Sequence, residues 1–114
     1  MTVQEKARAE SRARILKALG HPSRLFVVEK LAEKPYCVCQ LTAMIGADTS
    51  TVSKHLSILK SAGIVSIRKE GTTVYYSLEA PCVLRLIQCV ETVAKRSLEG
   101  QLANLRLVSA RGKA

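Results

Sequence analysis

Between Asp48 and Leu78 the hydrophobic period of the chain switches from that of a helix to that of a strand. In "DTSTVSKHLSILKSAG", Val52, Leu56 and Leu59 recur at i, i+4 and i+7, with Ile58 at their border. That spacing gives one apolar helix face. Asp48 is suited to cap the N-terminus of this helix, and Gly63 ends it. "IVSIRKE", a tight turn at Gly71 and "TTVYYSL" then read as two β-branched strands of a hairpin. What precedes and follows this helix-to-hairpin junction decides the fold class.

Upstream, "QEKARAESRARILKALG" reads as a helix with Ile15, Leu16 and Leu19 on one side and Gly20 at its end. "HPSRLFVVEKLAEK" restarts a helix, with Pro22 in its first turn and Leu25, Val28, Leu31 and Ala32 as its buried stripe. Pro35 stops it. A short extended piece around Tyr36–Cys37 leads into a helix of about two turns, "CQLTAMI", and Gly46 permits the next turn. Downstream, a long helix starts near Pro81. Val83, Leu86, Ile87, Val90, Val93 and Ala94 form its wide apolar face, and Leu98, Leu102 and Leu105 continue the spacing past a weak point at Gly100. The final "SARGKA", residues 109–114, reads as a frayed tail. The order α-α-α-α-β-β-α predicts a mainly α fold with a β-hairpin wing. That is a winged helix-turn-helix, one domain over 1–114.

Eighteen Lys and Arg against nine Asp and Glu give +9, a balance that favours a polyanionic partner, nucleic acid first. Charge alone does not locate the surface. Six basic residues fall within Lys6–Arg24 and five within Lys95–Lys113. No apolar run approaches a membrane span, and the basic N-terminus lacks the apolar stretch of a secretory signal, so a cytoplasmic protein without membrane contact is expected. In that reducing compartment four cysteines are poor disulfide staples, which leaves metal binding, redox sensing or packing.

Two of these cysteines stand one residue apart in "PYCVCQL". Positions i and i+2 lie ~200° apart on a helix but share a face on an extended segment. Cys37 and Cys39 therefore hold one ligand together only where the chain is extended or unwound. Cys82 and Cys89, seven residues apart on the last helix, are separated by ~10.5 Å of rise and cannot share an ion unaided. No βαβ pattern of a thioredoxin type, Gly-rich phosphate loop or Cys/His/Asp constellation at a recognisable spacing is present, so an enzyme is not expected.

On the helix "DTSTVSKHL", inward-facing Val52 and Leu56 leave Thr49, Ser50, Ser53 and Lys54 outward, with Thr51 at the edge. Hydroxyls and a lysine on the first turns suit contacts to bases and phosphates in a major groove. His55 fits either a DNA contact or a framework hydrogen bond. Arg68 and Lys69 sit near the hairpin tip, in reach of an adjacent groove or backbone. Of Tyr75 and Tyr76, which alternate along the strand, one is expected in the core and the other at the surface.

From about Leu19 to Leu78 the chain resembles the ArsR/SmtB family of metal-responsive bacterial repressors. The resemblance rests on "ALGHPSRLFVVEKL", on "CVCQLTAMIGADTSTVSKHLSILKSAGIVSIRKEGTTVYYSL" and on the terminal helix. It implies a homodimer on double-stranded DNA, with two recognition helices in successive major grooves of an inverted repeat. The apolar face of the last helix and the Ile15/Leu16/Leu19 stripe point the same way, to dimer contacts through the first and last helices.

The resemblance also implies an inducer site, either at the helix before the recognition helix or on the last helix. The last-helix type resembles a set of Asp and His ligands for zinc, nickel or cobalt, and this last helix carries no His, because His21 and His55 are the only two. The CxC resembles the "ELCVCDL" box of arsenite- and antimonite-responsive members, although "PYCVCQL" lacks both flanking acidic residues. Arsenite suits three thiolates, of which Cys37 and Cys39 would supply two and Cys82 or Cys89 the third. No permanent cofactor is expected. Two alternatives stay open: oxidant or persulfide sensing through a bridge from Cys37/Cys39 to Cys82/Cys89, and cadmium or lead in a four-thiolate site.

Overall fold

The structure, a computed structural model, describes residues 1–112 and the side chains of residues 1–106. Helices α1 (Val3–Leu19) and α2 (Pro22–Leu31) lead to a two-residue strand β1 (Tyr36–Cys37). Helices α3 (Val38–Ile45) and α4 (Thr49–Ser61), strands β2 (Val65–Glu70) and β3 (Thr73–Leu78), and helix α5 (Val83–Gly112) follow. The winged helix-turn-helix expected from the element order is present, with β1 added. Residues Met1–Leu84 form one compact unit, and the chain from Arg85 forms another.

The first unit shows why each helix stands where it does. Thr2 and Glu5 form a reciprocal capping box at the start of α1, each side chain accepting the other's backbone N–H at 3.1 Å. Only Ala18 and Leu19 of α1 are buried, so the helix meets the core by its last turn alone. Leu19 thus belongs to the monomer core, whereas Leu16 of the same predicted stripe is exposed and Ile15 half-buried. In α2 the buried residues are Val27, Val28 and Leu31, with Leu25 half-buried. Ala32, expected in that stripe, is exposed because the helix ends at Leu31 and Ala32 is its C-cap.

Val52, Leu56 and Leu59 of α4 are fully buried against Val27 and Val28 of α2, Leu41 of α3 and Ile64 as the central core. Burying one such leucine stabilises the fold by roughly 1.5–3 kcal/mol. Gly46, with φ 77°, turns the chain between α3 and α4 in a left-handed conformation that a side chain disfavours.

The sheet order is β1-β3-β2, antiparallel throughout. Gly71, with φ 62°, opens the two-residue hairpin turn between β2 and β3, as a primed turn requires. Across the sheet Cys37 stands opposite Tyr75, and Tyr75 opposite Arg68. Tyr36, Tyr76 and Ile67 form the adjacent row. Residues directly opposite share a face with Cβ atoms about 5 Å apart, so Cys37 and Arg68 flank one tyrosine. Tyr75 and Tyr76, expected to divide between core and surface, are both half-buried. A phenol can cover apolar surface with its ring and keep its hydroxyl wet.

The second unit is helix. Leu86, Val90, Val93, Leu98, Leu102 and Leu105 of α5 are exposed, and the helix runs unbroken through Gly100. Of the frayed tail expected over 109–114, residues 109–112 are helical and 113–114 lie outside the described residues. Among the described residues no helix is long and apolar enough to cross a membrane.

Candidate DNA-reading surface and thiol site

Helix α4 presents Thr49, Ser50, Thr51, Ser53 and Lys54 on its exposed side, opposite the buried Val52, Leu56 and Leu59. Asp48 is the N-cap residue by backbone conformation, but its side chain forms no cap hydrogen bond of full geometry, and the Asp48 and Thr51 N–H groups act on the carboxylate only weakly. It accepts two hydroxyls instead. Ser50 Oγ donates to Oδ2 at 2.9 Å, and Thr51 Oγ1 donates to Oδ1. These bonds, Thr51 first and then Ser50, hold the Asp48 pKa below the usual carboxylate value.

His55, half-buried on the same helix, is turned into the framework. Its ring lies 4.3 Å from that of His21, centroid to centroid, and its Nδ1 is 3.1 Å from an Arg24 Nη1. A guanidinium only donates, so His55 Nδ1 accepts and the ring proton sits on Nε2. The rest of the Arg24 fork donates to the last carbonyls of α1, Nε to Ala18 O at 2.6 Å and Nη2 to Lys17 O at 3.2 Å. His21 in turn caps α2, its Nδ1 accepting from Ser23 N–H at 3.0 Å. Arg24 thus ties the C-terminus of α1 to α4. Burial first, then His21 and Arg24, push the His55 pKa below its ordinary value. Of the two roles expected for His55, the framework one is observed.

On the wing, Arg68 and Lys69 are exposed and point to opposite faces of the hairpin. Arg68 shares its face with Glu70 and pairs with it at 3.0 Å. So exposed an ion pair contributes little, and a phosphate can compete for the arginine.

Cys37 and Cys39 straddle a strand-to-helix boundary. Cys37 is extended, with φ −85° and ψ 165°, and serves both as a strand residue and as the N-cap of α3. Its backbone N–H is bound by Gln40 Oε1 at 3.0 Å. Cys39 lies in the first turn of α3 and is exposed, while Cys37 is half-buried. The extended geometry that joint coordination requires is therefore present at the first of the two. Cys82 and Cys89 are exposed thiols. Among the described residues of one chain, no three His, Cys, Asp or Glu side chains form a group that could hold a metal ion.

Residues 21–66 match the family described as bacterial regulatory protein, arsR family. The HTH-type transcriptional regulator Rv0081 of Mycobacterium tuberculosis is 33% identical over 104 residues, 90% of this chain and 91% of that protein. The chain belongs to the ArsR family. Its fold is similar to the homodimeric winged helix-turn-helix DNA-binding domain Mb0332 of Mycobacterium bovis, with a TM-score of 0.73 and 34% identity. That likeness covers 87% of this chain and 92% of the Mb0332 domain. A cadmium resistance regulatory protein CadC homolog of Staphylococcus aureus is 40% identical over 77 residues, 67% of this chain and 64% of that protein.

As an ArsR-family member the protein is a DNA-binding transcriptional regulator rather than an enzyme. Three features of this regulator escape a reading of the sequence: the Arg24 clamp, the hydroxyl-binding role of Asp48 and the Gln40 cap on Cys37. For the last a signal exists, since Gln lies three residues after the cap position as in a capping box, though Cys replaces the usual Ser or Thr. Arg24 offers none, because its partner His55 is 31 residues away.

Proposed function

We propose that this ArsR-family regulator is a homodimeric repressor that leaves its operator when arsenite or antimonite binds Cys37 and Cys39. It would bind an inverted repeat of double-stranded DNA in the cytoplasm, reading bases with Thr49, Ser50, Thr51, Ser53 and Lys54 and touching backbone with Arg68 and Lys69. The observation that carries the inducer reading is the double attachment of Cys37. It stands in the sheet opposite Tyr75 and is the N-cap residue of α3, the helix packed on α4, with its N–H held by Gln40 of that helix. Soft thiolates select thiophilic ions. Drawing both sulfurs onto one ion pulls on β1 or unwinds the first turn of α3. The first disturbs the row that ends at Arg68, and the second removes support from α4.

The third thiolate is assigned to Cys82 or Cys89, of the same or the partner subunit. A second reading has its own support: all four cysteines are unpaired thiols and three are exposed, which suits oxidant or persulfide sensing. Likeness to the CadC homolog keeps cadmium, and with it lead, as a further inducer. Dimerisation is supported by the exposed apolar row of α5 and by the homodimeric Mb0332 domain.

Titration of the reduced protein–operator complex with arsenite, antimonite, cadmium, lead and a persulfide donor separates these readings. Release by arsenite or antimonite at stoichiometric levels is the expected result. Release by the persulfide donor alone replaces metalloid sensing by thiol chemistry. Cys82→Ser and Cys89→Ser, tested in the same way, identify the third ligand by loss of response.

A further inference from the structure

Ser50 and Thr51 each carry one hydroxyl proton, and in this structure both protons are given to Asp48. An ionised carboxylate accepts only, so neither hydroxyl can reverse its direction while Asp48 holds it. The lowered pKa of Asp48 keeps the carboxylate ionised. What the two exposed residues then offer outward is oxygen lone pairs. In the major groove the amino groups of adenine N6 and cytosine N4 are donors, whereas guanine O6 and N7 and thymine O4 are acceptors. The Asp48 side chain forms no cap hydrogen bond of full geometry, and both of its carboxylate oxygens are engaged by the two hydroxyls.

We propose that Asp48 sets the base preference of the recognition helix by holding Ser50 and Thr51 as hydrogen-bond acceptors, so that the positions they face select adenine or cytosine. This rests on the reading of α4 as the helix that contacts bases. Asparagine makes the separating test, because it caps helices as well as aspartate does but offers one acceptor oxygen and an NH2 donor. Because Ser50 and Thr51 donate to different carboxylate oxygens, only one of them faces the remaining oxygen and can still donate. The other must accept from the amide and turn its own proton outward, toward guanine or thymine.

Wild type, Asp48→Asn, Ser50→Ala and Thr51→Ala are each selected on a random-sequence duplex pool, and binding is then measured on operators changed at single positions. The wild type should prefer an amino base at two positions per half-site, each lost in one alanine variant. Asp48→Asn, with an unchanged melting temperature, should switch one of these to guanine or thymine. The change in relative affinity there should be about tenfold, the scale of one mismatched base pair. If both alanine variants keep the wild-type motif, the base-reading assignment of this turn falls and the inference with it. If they change the motif but Asp48→Asn selects the wild-type one, even with uniformly weaker binding, the base-reading assignment stands and the inference alone is overturned.

Discussion

His55 gives the molecule a pH dependence whose causes are its burial first and then its neighbours His21 and Arg24. Nδ1 of His55 faces the Arg24 guanidinium with the His21 ring beside it, so a proton on that nitrogen would lose a hydrogen bond and meet a fixed cation. The folded-state pKa lies below the usual 6.5. Stability is therefore fully present above that value and falls as the pH drops below it, because the unfolded chain takes up the proton first. Melting temperatures measured from about pH 7.5 to about pH 5.5 should fall more in wild type than in His55→Gln, which cannot titrate. Equal slopes would show that the cluster does not govern the acid response. Arg24→Lys should cost about 1–2 kcal/mol at neutral pH, because an ammonium cannot span two α1 carbonyls and an imidazole at once. At this scale the sequence was only half legible. Outward Ser53 and Lys54 follow from the local period, whereas the neighbours of His55 depend on how α1 and α2 fold back onto α4.

Helix α4 separates support from recognition along its own axis of symmetry, one face buried and the other exposed. Leu56→Ala, at a fully buried site, should destabilise the domain by about 2–5 kcal/mol in chemical denaturation. Ser53→Ala with Lys54→Ala should leave that curve in place while weakening operator binding. The salt dependence of binding should also become shallower by about one phosphate contact, as expected when one lysine leaves the interface. Wild-type operator affinity in the double variant would remove both residues from the contact surface. α4, β2, β3 and Gly71 were readable because their signals are periodic or local. Strand β1 was readable as an extended piece but not as part of a sheet, since two residues carry no alternation and their partners, Tyr75 and Tyr76, lie far along the chain. Ala32 and Leu19 were misassigned for a related reason: a stripe on a wheel does not say where its helix ends or what covers it.

For the whole molecule, the exposed apolar row of α5 and the arrangement of thiols bear on how two copies act on one operator. Val90 and Val93 are 54% and 65% exposed. Val93→Glu places a charge in that row and should shift sedimentation from dimer to monomer, with loss of binding to a full inverted repeat. A dimer unchanged by Val93→Glu would exclude that part of α5 from the interface. In the proposed function Cys37 and Cys39 form the switch, and the residues proposed to read DNA include no cysteine. The most direct measurement is operator binding by reduced wild type, Cys37→Ser and Cys39→Ser, each with and without excess arsenite. All three should bind the operator with similar affinity, and only the wild type should release it. Retention by the wild type, or full release by either serine variant, would contradict the assignment of the CxC pair as the inducer site.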